Sequence, residues 1–335
     1  MQNWGVLALV LLTSCGLTWL VHNLAVRNQL FDRPVSRSSH SIPVPVGGGL
    51  SFLACFYAYC TYLFLTELLS KPVFIALWGG LAVAALGLLD DIRSLKVSTR
   101  VGVQFAAAIW TVLWLDASPA IQIGGWQLDI PWLVALLSIV AMVWLINLYN
   151  FMDGIDGLAG SECCFVTVMS LLLVINAGDQ VMVQLSAALG LSVAGFLVFN
   201  WPPAKIFMGD VGSGFLGYCL GTLALISMLN SSMTLWSWLL LLGIFVVDAT
   251  VTLFRRVSSQ QKWFEGHNSH AYQHAARTFG SHRLVTLIVL LINLFWLTPL
   301  ALYATAYPGL GIYLTLTGMI PLALLALRLK AGRPG

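Results

Sequence analysis

AMVWLINLYNFMDGIDGLAG (141–160) joins two kinds of sequence that rarely meet. Its first six residues are wholly apolar, as a bilayer-crossing helix requires. The remaining fourteen hold Asn147, Asn150, Asp153 and Asp156, interleaved with Gly154, Gly157 and Gly160. Asn147, Asn150 and Asp153 are spaced by three, so on a helix they share roughly one face. The glycines weaken the helix beyond them and let another backbone come close. Oxygen-bearing side chains of this kind suit a hard cation such as Mg2+, which one or two carboxylates and a substrate phosphate hold between them. The D-G-x-D-G spacing is similar to that of calcium loops, but their twelve-residue ligand pattern with a terminal glutamate is missing. A plain turn between two spans accounts for the glycines and not for the four polar side chains.

The rest of the chain explains why such a cluster stands out. Of 335 residues, 59% are hydrophobic and 9% charged, against about a quarter charged in soluble domains. Mean hydropathy is +0.88. A soluble fold is excluded on these numbers, and the class expected is an all-α integral membrane protein. Continuous apolar runs without alternation favour helices over a β-barrel. Spans are expected at 4–26, 47–67, 72–89, 101–116, 131–150, 161–177, 181–199, 214–230, 233–254, 283–304 and 309–328. On that path of about eleven helices, fifteen of the sixteen Lys and Arg fall on one side and only Lys71 on the other. The positive-inside rule makes the crowded side cytoplasmic, the N-terminus periplasmic and the C-terminus cytoplasmic. No basic residue precedes the first span, so it reads as a retained helix rather than a signal peptide. The six cysteines lie in apolar segments and read as small core residues. With no internal repeat or low-complexity run, residues 1–335 read as a single membrane domain. A net charge of +3 without a basic tract gives no reason to expect nucleic acid.

Four polar segments fall on the predicted cytoplasmic side. GLLDDIRSLKVSTR (87–100) closes the third span with Asp90 and Asp91 side by side, followed by Lys96 and Arg100. Ionisable groups at a membrane boundary are costly unless paired or hydrated, and two adjacent carboxylates repel unless a cation relieves them. A solvated helix end is the alternative. The second segment is the one quoted first. The third, FNWPPAKIFMGDVGSG (199–214), places Asn200, Lys205 and Asp210 in a glycine-rich connection. Such backbone can offer N–H groups to phosphate, although the P-loop pattern is absent. The fourth, residues 254–283, carries His267, His270 and His274 at i, i+3 and i+7, with Arg277 continuing that face if helical. Zinc is one reading of the row. A cationic, hydrogen-bonding wall for an anionic substrate fits better.

Together with SIPVPVGGG (41–49), LLDD (88–91) and FMGDVGSGFLG (207–217), these segments resemble the polyprenyl-phosphate N-acetylhexosamine-1-phosphate transferases, in family order from about residue 30 to 280. The resemblance implies a reaction in which a UDP-N-acetylhexosamine gives its sugar 1-phosphate to undecaprenyl phosphate and UMP leaves. It implies Mg2+, or Mn2+ in its place, at Asp210 and Asn150, and catalytic roles for Asp90, Asp91, Asp153 and Asp156. Asn147, Lys96, Arg100, Asn200, Lys205, His270, His274 and Arg277 are then the substrate-binding candidates. The expected setting is the inner membrane of a bacterium with the active site on the cytoplasmic face, and a homodimer is compatible with it. The histidine loop departs from the family's denser run: it reads HAYQHA (270–275), with Tyr272 and Gln273 where histidines are expected. The family implies a GlcNAc-type or 6-deoxy sugar, and that departure points toward the transferases that start O-antigen on 6-deoxy-N-acetylhexosamines such as FucNAc or QuiNAc. From another class, a polytopic transporter remains the competing hypothesis, although its polar groups belong near the midplane rather than at one face.

Overall fold

The computed structural model describes residues 4–34, 40, 42–175, 177–261 and 267–333. Ser41 of the SIPVPVGGG segment, and Arg37 and Lys262 among the fifteen cations counted above, lie outside them. In chain order the helices are α1 (Trp4–Arg27), α2 (Gly49–Leu65), α3 (Lys71–Leu77), α4 (Gly79–Ile92), α5 (Val97–Leu115), α6 (Pro131–Met152), α7 (Leu158–Ile175), α8 (Gln180–Asn200), α9 (Asp210–Leu229), α10 (Leu235–Leu241), α11 (Gly243–Ser258), α12 (Ala271–Phe279), α13 (His282–Ile292), α14 (Thr298–Ala306) and α15 (Gly311–Arg328). Two short antiparallel pairs complete the described residues: β1 (Phe31–Asp32) with β2 (Val44–Pro45), and β3 (Ile121–Ile123) with β4 (Trp126–Leu128).

All eleven expected spans fall on helix, but they are not eleven equal spans. Eight helical segments among the described residues are long and apolar enough to cross a membrane, or nine if α10 and α11 count as one. The α2 helix is short, at 17 residues. The α5 helix is not among the eight, because its first turn is the polar stretch VSTR. The stretch 233–254, expected as one span, is bent by 80° between α10 and α11, at Leu242–Gly243 inside an apolar run. From α13 to α14 one span continues through a π-helical turn, Asn293–Leu297.

The α9 helix is the most enclosed of the spans, packed among α2, α4 and α6. It begins at Asp210 rather than at the expected residue 214, which puts a carboxylate in its first turn where the helix dipole favours negative charge. The contact with α4 is extreme at Gly87. A Cβ there would stand 2.4 Å from the carbonyl carbon and oxygen of Asp210, so glycine is what lets the LLDD end of α4 lie against the start of α9. On the α2 side, Phe207 N–H donates to Pro45 C=O at 2.9 Å, and Gly48 and Gly49 N–H donate to Phe207 and Met208 C=O at 2.9 and 3.0 Å. The IPVPVGGG segment is thereby zipped onto the residues preceding Asp210.

One buried pair in the helical core fixes the π-turn. Asn293 Nδ2 donates to Glu162 Oε2 at 2.6 Å, and both residues are fully buried. Asn293→Leu removes the donor from a buried carboxyl group. It is expected to destabilise the protein by about 1–3 kcal/mol, read as a lowered unfolding temperature in detergent; Glu162→Gln on that background restores part of the loss.

Candidate active site

The connections α1–α2, α4–α5, α6–α7, α8–α9 and α11–α13 meet at one end of the bundle. They enclose a cavity of about 800 Å3, within the size range of small-molecule sites. Its walls include Asp32, Asp90, Asp91, Asp153, Asp156 and Asp210, with Arg100, His40, His267, His270 and His282 as the basic groups. Asn150 and Asn200 also line it. Sequence reasoning thus placed four separate segments in one site, and the fold brings them there.

The carboxylates are not equivalent. Asp90 Oδ2 accepts from Arg100 Nη1 at 2.7 Å, and its Oδ1 from Leu95 N–H at 2.7 Å. It is fixed as the anchor of the α4–α5 turn. Asp91 accepts from the backbone N–H of Asp210 at 3.0 Å and of Val211 at 3.4 Å, capping the start of α9. The N–H groups at the start of α9, which could have faced a phosphate, are thus engaged within the protein. The leading ones go to Asp91, and those of Gly212 and Ser213 return to Gly209 C=O. Asp210 Oδ1 accepts from Asn150 Nδ2 at 2.7 Å, and the same amide reaches Ser213 Oγ at 3.1 Å. As placed, Asn150 orients Asp210 through its nitrogen side.

Asp153 ends α6 and accepts no hydrogen bond from any described residue. Burial pushes its carboxyl well above the usual range, and the charges of Asp210, Asp91 and Asp156 push it further. A half-buried carboxylate on the cavity wall, with no donor among the described residues and other carboxylates near it, is a place that calls for a cation. Among the described residues no three His, Cys, Asp or Glu side chains form a ready-made metal cage. That is consistent with Mg2+ chemistry, in which one or two carboxylates bind and water and substrate phosphate complete the shell. Asp153 and Asp210 fit such a half-site.

Asp156 is a joint rather than a free acid. Its Oδ2 accepts from Ala204 N–H at 3.0 Å, and Oδ1 lies 3.2 Å from His282 Nδ1. Burial raises its carboxyl, but His282 and the Ala204 N–H outweigh that and leave it below the usual range. Asn200 works beside it, accepting from Gly157 N–H at 3.1 Å and donating to Ile206 C=O at 2.9 Å. These bonds weld the DGIDG turn to the α8–α9 connection.

The histidine loop docks on the same turn. A Cβ at Gly154 would lie 2.1 Å from Tyr272 Oη, and that hydroxyl donates to Phe151 C=O at 2.9 Å. Buried Asp248 of α11 organises the loop. It accepts from the N–H groups of Ala271 and Tyr272, each at 2.9 Å, and lies 3.2 Å from His270 Nδ1. The helix begins only at Ala271, so the expected single-face row of histidines is broken. The rings of His267 and His270 stack at 4.9 Å on the cavity wall. Burial, aided by His270 and Arg256, pushes His267 down to about 3, so it is neutral at physiological pH.

His274 turns away from the cavity, with Nε2 3.2 Å from Arg333 C=O, and Arg277 bonds His274 Nδ1 and Asn268 C=O. Neither lines the cavity, nor do Lys96 or Lys205, both of which are exposed. Asn147 bonds Gln104 and lines a small adjoining pocket behind Asp90, Arg100 and Asp210. Sequence reasoning missed Asp32, His40, His282 and Asp248 as site residues. Asp248 had a signal, a carboxylate inside an apolar span. His282 had a weaker one, an ionisable residue just before the span that begins at 283.

The family model described as glycosyl transferase family 4 matches residues 73–228, a range that holds Asp90 through Asp210 and stops short of the histidine loop. A probable undecaprenyl-phosphate N-acetylglucosaminyl 1-phosphate transferase of Bacillus subtilis is 29% identical over 299 residues, 84% of this chain and 80% of that protein. The phospho-N-acetylmuramoyl-pentapeptide-transferase of Synechococcus sp. is 31% identical over 268 residues, 72% of each chain. That of Kosmotoga olearia is 33% identical over 224 residues, 63% of this chain and 69% of its own. The chain belongs to glycosyl transferase family 4. It is a glycosyl-1-phosphate transferase built as a multi-pass membrane protein.

Proposed function

We propose that the protein transfers N-acetylhexosamine 1-phosphate from a UDP-sugar to undecaprenyl phosphate, releasing UMP, as a first step of cell-envelope glycan synthesis such as O-antigen. The carrying observation is Asp153, which has no hydrogen-bond donor among the described residues and lines, with Asp210, a cavity at the end of a membrane bundle. The Bacillus relative supports a GlcNAc-type sugar, and the HAYQHA loop leaves the 6-deoxy sugars FucNAc and QuiNAc in the panel. Fifteen of sixteen cations on one side of the eleven-span path read from the sequence, the side of the four polar segments, support a cytoplasmic site in an inner membrane, with a periplasmic N-terminus.

In this reading Asp210 and Asp153 would hold Mg2+, and Asn150 is no ligand but fixes Asp210 through its amide nitrogen. When bound, the ion screens the diphosphate and stabilises the departing phosphate. A lipid phosphate monoester has a second pKa of about 6, so at neutral pH it needs little help from a base. What the chain supplies is positioning and charge. Asp90 keeps Arg100 at the cavity wall. Asp248 holds His270 by Nδ1, which leaves Nε2 for a phosphate oxygen.

His270→Ala is expected to lower kcat/KM for the UDP-sugar at least tenfold, equivalent to about 1.4 kcal/mol; an unchanged value would make the loop a bystander. The reading as a whole is tested with purified protein, undecaprenyl phosphate, Mg2+ and a panel of UDP-N-acetylhexosamines. Formation of lipid-linked sugar phosphate with one of them is the expected result. No product, combined with UDP-sugar flux across vesicles, would favour the transporter.

A further inference from the structure

The reading above leaves the Asp156–His282 pair without a task. His282 opens α13, and its side chain is 21% exposed while that of Asp156 is 15% exposed. The pair is mostly enclosed, yet both residues line the cavity. The carboxylate is held twice, by His282 Nδ1 at 3.2 Å and by Ala204 N–H at 3.0 Å. The first turns of α13 also dock on the backbone of the same residue, where Thr286 Oγ1 donates to Asp156 C=O at 3.4 Å. The imidazole is thus fixed on its Nδ1 side. Its Nε2 has no partner among the described residues and belongs to a ring on the cavity wall.

This is the second such arrangement in one cavity. His270 is held through Nδ1 by Asp248, and His282 through Nδ1 by Asp156. The two imidazoles come from different elements, the loop before α12 and the start of α13. We propose that His282 is a second phosphate-binding residue, donating from Nε2 to the diphosphate of the sugar nucleotide, with Asp156 as its positioning residue. An imidazolium with a carboxylate on Nδ1 presents one charged N–H to an anionic oxygen, and charge-assisted bonds of this kind are roughly twice as strong as neutral ones. The donor rather than the lipid is assigned because Asp156 and Ala204 belong to connections, and His282 is the first residue of its helix. That wall is the end of the bundle a water-soluble nucleotide reaches. Asp156 is assigned to His282 rather than to the ion in this arrangement, its two oxygens serving His282 Nδ1 and Ala204 N–H. The inference rests on the transferase reading.

The test measures KM for each substrate separately, with undecaprenyl phosphate saturating in one series and the UDP-N-acetylhexosamine selected by the panel in the other. His282→Ala is expected to raise KM for the sugar nucleotide at least tenfold and to leave KM for the lipid within twofold. His282→Gln, which keeps an N–H donor, recovers several-fold of the loss. Asp156→Asn raises the donor KM with His282 still present. An unchanged donor KM, or equal losses for donor and lipid, would overturn the proposal. If His282→Ala does not fold, the His282→Gln split alone decides between these outcomes. Wild-type protein that releases UMP from no UDP-sugar defeats the transferase reading and this inference with it. An active wild type with an indifferent His282→Ala defeats only the inference.

Discussion

Asp210→Asn is expected to reduce transfer by about three orders of magnitude, equivalent to about 4 kcal/mol, while the protein still folds. The substitution keeps the side chain's volume and its oxygen for Asn150 Nδ2, 2.7 Å away. The backbone N–H groups of residues 210 and 211 still reach Asp91. What disappears is one negative charge of the proposed Mg2+ half-site. Losing it also relieves repulsion with Asp91 and Asp153, so the unfolding temperature should stay level or rise. Activity and stability move in opposite directions, as they do where a site is built at the expense of the fold. kcat/KM and thermal unfolding of the same preparation check both halves. Near-normal turnover with Mg2+ would remove Asp210 from the ion site.

Gly87→Ala is expected to cost about 100-fold in kcat/KM, or about 2.7 kcal/mol, though residue 87 touches no substrate. The added methyl would meet the Asp210 carbonyl group at 2.4 Å and Val211 N at 2.6 Å. These are backbone atoms of a helix start and cannot swing aside, so α4 must move off α9. Asp91 then loses the N–H groups it caps, and the spacing of Asp90 and Asp91 against Asp210 changes. A displacement near 1 Å is enough for a loss of this size in a positioned site. Unlike Asp210→Asn, this variant should also unfold at lower temperature. Full activity with unchanged stability would show that the α4–α9 contact does not set the geometry of the site.

The comparison of these two residues shows what was legible in the sequence. Asp210 announces itself, since a carboxylate between glycines at the start of an apolar run has few structural uses. Gly87 does not, because its reason is a backbone 123 positions away, and nothing local in GLLDD reveals it. The apolar runs placed the helices well, because hydropathy is a property of each segment by itself. The 80° bend between α10 and α11 escaped for the opposite reason. Gly243 permits it, but what fixes it is packing, with a Cβ at that residue falling 2.9 Å from Leu297 Cδ1. The bent α11 carries Asp248 to the loop that precedes α12. The reach of the long cations was likewise invisible: Lys205 and Arg277 look like phosphate ligands in a list of loop residues, yet both are exposed and outside the cavity. Histidines fared unevenly because spacing was read as helix, whereas His270 precedes its helix and is aimed by Asp248.

The most direct test counts products. Purified protein given undecaprenyl phosphate and its preferred UDP-N-acetylhexosamine should form UMP and lipid-linked sugar phosphate in equal amounts, stop on chelation with EDTA, and resume when Mg2+ is added. UMP produced without the lipid product, or transfer that continues undiminished in EDTA, would contradict a cavity whose carboxylates hold a cation between a nucleotide diphosphate and a lipid phosphate.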